Sequence, residues 1–431
     1  MTKTARAHHG PAFGRQRLPE RLCNLDRLLA DMEARDLDGL VVTSALNVFY
    51  LTSFNGVAHK ADEPRPYVLV LARREPDHPI LVLADYYLTT PLHQPTWVKD
   101  IRPCRSVMSP MDLPPRREDI DAHIPRTAAG IDWVERARSA YRFDSGEQVR
   151  AAMRDLGIDR GRVGFDDEGY GRRLGLPDVE VANGYDPLMH ARAVKTPEEL
   201  ELLARATNLN EEAIRRTVSR WEKGWTRQDL NHAYAVSAVE LGGFVRDPGG
   251  LVVSHALGDD PTLTVQSGLE DEEIAPGAHV MFDCHGTLDL YCWDGGKSWV
   301  VGGEPTAEGA KNLAATARVA ETLIDTMRPG RRMSELHALG RETYRKAGLA
   351  DADRAFIFFH GLGLSHMDFE LHLPDGEPYR DWVLEENMVL PVHLFYPGGE
   401  RERAWLEDVV VVGRDGGRPL FSWGFEPLTG D

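Results

Sequence analysis

Cysteine is scarce in this chain, and long hydrophobic runs are missing. Four cysteines, Cys23, Cys104, Cys284 and Cys292, are spread over 431 residues with no C-x-x-C pair among them. A chain of this length has enough core to fold without disulfide staples, so a reducing, cytoplasmic setting is expected. No apolar stretch reaches the length that spans a bilayer, so no membrane-spanning helix is expected within it. Positive charge is also in deficit, with 50 Lys and Arg against 68 Asp and Glu and a net charge of -18. That balance argues against nucleic-acid binding, which needs basic surface to displace counterions. Met1 to Arg17 has basic residues and histidines but no apolar core, so it does not read as a secretory signal and is expected to be a loose arm. No internal repeat or low-complexity segment is evident.

What is present is an alternation of short apolar runs with helical periodicity, at 42% hydrophobic and 27% charged residues. Leu25, Leu28, Leu29 and Met32 recur at helical spacing before the breaker Asp38-Gly39. Leu40–Thr43, Tyr67–Leu71, Ile80–Leu83 and Val163–Phe165 read as strands, and the stretch from Arg142 to about Ile158 reads mostly as helix. Gly184-Tyr-Asp-Pro187 looks like a loop. The expected organisation is an arm over 1–17, an α/β domain over 18–190 and a second domain over 191–431. The second domain opens at Thr196-Pro197-Glu198-Glu199, where Thr196 is an N-cap, Pro197 fits the first turn and Glu199 completes a capping box. Further helices are expected over Thr306 to Met327 and Met333 to Ala347, the latter closed by Gly348.

The last third carries metal-type side chains attached to strand-like runs. Asp283 follows Val-Met-Phe, Asp294 ends a run eleven residues later, His360 opens His-Gly-Leu-Gly, His393 ends Met388-Val-Leu-Pro-Val-His, and Glu407 precedes Asp408 and four valines. A β-hairpin turning at Gly286–Asp289 would bring Asp283 and Asp294 to one side. Carboxylates gathered closely repel unless a cation neutralises them. Carboxylate and imidazole donors together suit one or two divalent ions of Mn, Fe, Co or Zn. Two such ions roughly 3.5–4 Å apart supply a bridging hydroxide at neutral pH.

In this order and context the chain resembles the creatinase/prolidase/aminopeptidase-P superfamily of pita-bread metallohydrolases. The likeness is carried by Arg192-Ala-Val-Lys-Thr-Pro-Glu-Glu199, Asp283-x10-Asp294, His360-Gly-Leu-Gly and Leu406-Glu407-Asp408, and by Asn47-Val-Phe-Tyr50 in the first half. It implies an α+β pita-bread catalytic domain behind a creatinase-type N-terminal α/β domain. It also implies that Asp283 chelates one ion, that Asp294 and Glu407 bridge two, and that His360 binds the second. Where relatives use a glutamate, this chain has His393. The substrate-side histidine of relatives is replaced by Thr262 after Pro261. A second histidine, His366, lies six residues after His360 rather than seven. The arginine two residues before the last glutamate is replaced by Trp405, with Arg401 and Arg403 nearby. The resemblance further implies a homodimer, with Asn47, Tyr50 and His59 near a partner's site.

These departures point away from ordinary Xaa-Pro cleavage, towards metal-dependent hydrolysis of a C–N bond in a small amide, amidine or dipeptide-like substrate. A metal-dependent lyase and a non-catalytic pita-bread binding protein are the rival expectations. His366 and His255 are candidates for acid/base or substrate contact, Trp293 for a pocket wall, and Arg403 for a substrate carboxylate. His285 shares a strand face with Asp283 but is expected to be structural because a turn follows it. Cys284 and Cys292 are expected to be small buried hydrophobes.

Overall fold

The helical spacing of Leu28 and Met32 is realised in the helix Leu25–Ala34, where both are fully buried. The computed structural model describes residues 12–14, 16–56, 67–94, 96–107, 109–110, 112–253, 273–349 and 351–430. It divides into two compact units. The first comprises Leu18–Arg192 with Phe369–Tyr379, and the second Ala193–Asp368 with Arg380–Asp431 and the described residues before Leu18.

In the first unit the short apolar runs form strands β1 (Gly39–Val42), β2 (Tyr67–Ala72), β3 (Ile80–Ala84), β4 (Asp100–Cys104), β5 (Gly161–Phe165) and β6 (Val179–Asn183). They make one mixed sheet in the order β4-β3-β2-β1-β5-β6. Every residue of β1, β2 and β3 is buried. This is the reason they read as unbroken Val/Leu runs rather than as alternation. Val149 and Met153 of the helix Ser145–Asp155 pack into a core with Val41, Val68, Val70 and Val163.

Gly184–Pro187 is not a loop: the helix Tyr185–Ala193 begins there. Asn183 starts it, its Oδ1 accepting from the backbone N–H of Tyr185 and Asp186 at 2.8 and 3.1 Å. Pro187 falls in the first turn, where its missing N–H costs nothing. Asp186 then receives the backbone N–H of Leu371 at 2.6 Å and of His372 at 3.3 Å. Arg35 joins Asp31 at 2.6 Å to Glu370 at 3.0 Å. These charged contacts hold Phe369–Tyr379 in the first unit, far in sequence from the rest of it.

The second unit carries β7 (Phe244–Val253), β8 (His279–Leu288), β9 (Tyr291–Trp293), β10 (Gly296–Val301), β11 (Phe356–Phe359), β12 (Val389–Tyr396) and β13 (Ala404–Val412). Their order is β11-β12-β13-β10-β8-β7, with β9 beside β8. The helix Pro197–Arg220 starts with the Thr196/Glu199 capping box. Leu209 and Ile214 of that helix and Tyr234 of Arg227–Leu241 pack on Phe282, Trp293 and Trp299 of the sheet. The other two expected helices are Ala307–Thr326, capped by Thr306, and Met333–Lys346.

Candidate metal centre

Strand register aligns the site. Phe358 of β11 pairs with His393 of β12, His393 with Glu407 of β13, and Glu407 with Gly296 of β10. Neighbours in such a row lie on one face of the sheet, so His393 and Glu407 meet side by side. His360 follows directly on the end of β11, and Asp294 occupies the bend between β9 and β10. The residue after Asp294 has to be glycine. Gly295 has φ of 86°, and a Cβ there would sit 2.8 Å from the Glu407 carbonyl oxygen and 2.9 Å from its Cγ.

The β8–β9 hairpin turns later than expected. Its pairs are Gly286 with Trp293, Thr287 with Cys292 and Leu288 with Tyr291. The two turn residues are Asp289 and Leu290, with φ of 50° and 74°. Positive φ at both positions is the form whose twist suits a two-residue hairpin. Gly286–Asp289 is therefore mostly strand, and His285 lies inside β8. One further step in register sets His285 opposite Asp294, and alternation places it on the face of Asp283.

The result is a buried gathering of acids and imidazoles. Asp294, His360, His393 and Glu407 are all buried, each offering a ligand atom within 4.8 Å of the others. His393 Nε2 is 2.8 Å from Glu407 Oε1, and His360 Nε2 is 3.3 Å from Asp294 Oδ2. His285 lies between two acids, with Nδ1 2.8 Å from Asp294 Oδ1 and Nε2 3.1 Å from Asp283 Oδ1. His366 Nδ1 is 3.4 Å from Asp294 Oδ2, and its ring stands 4.6 Å from that of His360.

None of these close approaches has the alignment of a hydrogen bond. Asp283 Oδ1, His285 Nδ1, both Asp294 oxygens, His360 Nε2 and both Glu407 oxygens are buried without a hydrogen-bond partner among the described residues. Buried carboxylates left in that state are strongly destabilising. Donor atoms of metal-ligand type that converge without pairing to each other fit a divalent cation.

The electrostatics express the same crowding. Burial, then the negative charges of Asp294 and Asp283, pushes the Glu407 carboxyl well above its ordinary range. Burial alone would push Asp294 up too, but His285, His360 and His366 overcome it and hold that carboxyl well below. Burial draws His285 down, yet with no ion bound Asp294 and Asp283 raise it to about 10. His393, buried on every side, is lowered to about 4 and presents a neutral ring, the form that ligates.

Around the cluster, Phe358 packs its ring 5.6 Å from His360 and 5.4 Å from His393. Trp405 donates its indole N–H to the Phe282 carbonyl at 2.8 Å and packs edge-on to His393. The loop after His360 is anchored by a buried ion pair, Lys195 Nζ to Asp368 Oδ2 at 3.2 Å. Gly363 accommodates that pair, since a Cβ there would fall 2.0 Å from Asp368 Oδ2 and 2.9 Å from Lys195 Nζ.

Other sequence candidates separate by environment. Trp293 is not a pocket wall: it is fully buried in the core, and its indole N–H donates to the Tyr234 hydroxyl at 3.0 Å. As the neighbour of Asp294 in an extended chain it faces the other way. Arg401 is exposed and donates to the Pro276 carbonyl. Arg403 has no exposed surface, and its Nη1 and Nη2 have no hydrogen-bond partner among the described residues. Asn47 and Tyr50 are buried within the first unit, Asn47 accepting from Arg192 at 2.7 Å and the Tyr50 hydroxyl from the Asn24 N–H at 2.9 Å. His255, His59, Pro261 and Thr262 lie outside the described residues. In a separate acid–imidazole group, Asp31, His190 and Glu370, the Arg35 guanidinium pairs with both carboxylates.

Two family descriptions match the two halves: the Creatinase/Prolidase N-terminal domain over residues 24–193 and metallopeptidase family M24 over 201–414. The chain belongs to the creatinase/prolidase/aminopeptidase-P superfamily, with a creatinase-type α/β domain followed by a pita-bread domain. It is 28% identical over 244 residues to the "Probable dipeptidase PepE" of Mycobacterium tuberculosis H37Rv, an alignment covering 54% of this chain and 59% of that protein. With the "Xaa-Pro dipeptidase" of Pyrococcus furiosus it shares 23% identity over 240 residues, covering 54% of this chain and 65% of that protein. These alignments span less than two thirds of either relative. The fold matches a crystal structure of a dipeptidase from Pyrococcus horikoshii with a TM-score of 0.70 at 16% identity, covering 94% of this chain and 99% of that one. The dipeptidase PepE of Mycobacterium ulcerans gives 0.64 at 20% identity, covering 94% and 96%. Among the described residues no helix is long and apolar enough to cross a membrane.

Proposed function

We propose that this protein is a metal-dependent hydrolase of a C–N bond in a small, dipeptide-like substrate. The observation that carries the reading is the buried, mutually unpaired set Asp294, His360, His393 and Glu407, whose ligand atoms all approach within 4.8 Å. The relatives named as dipeptidases support the same class of reaction. When bound, divalent metal supplies a hydroxide at neutral pH and polarises the scissile carbonyl. The chain's own side chains do the rest. Asp294, from the bend before β10, and Glu407, from β13, would hold divalent metal, together with Asp283, His360 and His393. Phe358 and Trp405 keep the His393 side dry. Arg403, whose Nη1 and Nη2 have no partner among the described residues, is offered as the partner of a substrate carboxylate. His366 is half exposed beside Asp294, which marks the side from which substrate enters. The homodimer and the cytoplasmic setting are further parts of the proposal.

The test is a panel of dipeptides, acyl-amino acids and amidines, assayed with metal-reconstituted protein and with His360→Ala and Asp294→Ala. The expected result is hydrolysis of at least one member, falling by on the order of 10³-fold or more in both variants. Product carrying ¹⁸O from labelled water identifies hydrolysis. Turnover without label incorporation, or activity unchanged in both variants, would contradict the reading.

A further inference from the structure

Asp294 has no exposed surface, and imidazoles lie against both of its oxygens. Oδ2 meets His360 at 3.3 Å and His366 at 3.4 Å, while Oδ1 meets His285 at 2.8 Å. His285, Asp294 and His366 offer ligand atoms all within 4.8 Å of one another, and the His285 and His366 rings stand 4.9 Å apart. His285 Nε2 lies 3.1 Å from Asp283 Oδ1. We propose that His285 and His366 are metal ligands, forming with Asp283 and Asp294 an ion pocket that shares Asp294 with the pocket of His360, His393 and Glu407. The inference rests on the metal-centre reading above and specifies which residues build its second half.

A competing role for His285 is that of a permanent counter-ion, an imidazolium tying two strands together. Geometry separates the two roles. A counter-ion donates along its N–H bonds to the carboxylates. Here His285 Nδ1 is buried without a hydrogen-bond partner, and so are both oxygens of Asp294 and Oδ1 of Asp283. Atoms that converge on a common space without aiming at one another are arranged as ligands. The hairpin supports this. A turn at Asp289–Leu290 places His285 opposite Asp294, so backbone pairing and not side-chain contact fixes the distance between them. His366 reaches the same carboxylate from the loop anchored by Lys195 and Asp368.

The consequence is a change of donor type. Asp283, Asp294 and Glu407 are joined by His285, His360, His366 and His393, so imidazoles outnumber carboxylates. A centre of that composition favours Zn, Co or Fe over Mn by a wider margin than a carboxylate-rich one does.

The test is metal binding by the full-length protein, stripped with chelator and titrated with Co(II) and with Zn(II). Stoichiometry is read by calorimetry and elemental analysis, and coordination by the Co(II) visible spectrum. The proposal expects two ions per chain in the wild type. His285→Ala and His285→Gln are both expected to lose one ion, or to bind it at least tenfold more weakly, and His366→Ala to weaken the same ion. The Co(II) bands of the retained ion should remain. Using both substitutions guards against a folding defect, and circular dichroism confirms that the sheet is intact. Two ions bound with unchanged affinity in the folded His285 variants would overturn the proposal while leaving the hydrolase reading standing. A single ion in the wild type, retained in those variants, would do the same. No ion bound by the wild type would remove both.

Discussion

A guanidinium with no exposed surface and no partner for Nη1 and Nη2 destabilises the fold that contains it. Burial alone lowers the Arg403 pKa to about 9. Its Nε does reach the Gly399 carbonyl at 3.3 Å, so the side chain is oriented rather than loose. Arg403→Met keeps the apolar stem and removes the orphaned head. Without substrate this variant is expected to be more stable by about 1–3 kcal/mol, the usual cost of an unsatisfied buried polar group, as measured by denaturant unfolding. With a carboxylate-bearing substrate its KM should rise by about tenfold or more with a smaller change in kcat. A less stable variant with unchanged KM would show that Arg403 is a packing residue. The same scale explains why the position of His285 was only half legible in the sequence. Its face was legible from the two-residue period, but the turn was placed on Gly286, the obvious breaker, rather than on Asp289 and Leu290. Trp293 failed for a related reason: neighbours in a strand face opposite ways, so the residue beside a ligand is a core residue by default.

At the scale of elements, the loop from His360 to Asp368 depends on one glycine. Gly363→Ala would drive a methyl into the Lys195–Asp368 ion pair. Separating a buried pair leaves uncompensated charge and costs about 3–5 kcal/mol. The expected outcome is a loss of stability of that order, together with weakened metal binding through displaced His360 and His366. Thermal unfolding with and without Zn(II) checks both. A variant with wild-type stability would mean that the loop relaxes freely. Much at this scale was legible in sequence. The Thr196-Pro197-Glu198-Glu199 start, the ends of the helix Ala307–Thr326 and the apolar strands all follow from local capping and buried-strand composition. Two features were not. The helix at Tyr185–Ala193 was hidden because Gly184 and Pro187 read as breakers, although Asn183 capped it. The placement of Phe369–Tyr379 with the first unit depends on Asp186, Arg35 and Glu370, contacts between residues far apart in sequence that no local pattern encodes.

For the whole molecule, the candidate ligands were legible as a set because each is attached to a strand-like run, and strands of one sheet converge. Their grouping was not legible, because it depends on register between strands distant in sequence. The stability of the second unit also has a pH signature. Burial raises the Glu199 carboxyl to about 7, against the smaller opposing effects of Lys195, the Thr196 N–H and the Tyr291 hydroxyl. The folded chain keeps this proton up to about pH 7, whereas the unfolded chain releases it near the ordinary glutamate value of 4.5. Stability from this group is therefore present at low pH and lost as pH rises between those values. In metal-free protein Glu199→Gln should reduce the fall in stability between pH 5 and 8 by about 2–3 kcal/mol. Parallel wild-type and variant profiles from denaturant unfolding would contradict this. The central claim, that the second unit is built around divalent metal, is tested most directly by the metal content of purified, chelator-stripped and reconstituted protein. The account predicts at least one tightly bound divalent ion per chain, abolished in Asp294→Ala. Metal at trace level in the reconstituted wild type, or content unchanged in that variant, would contradict it.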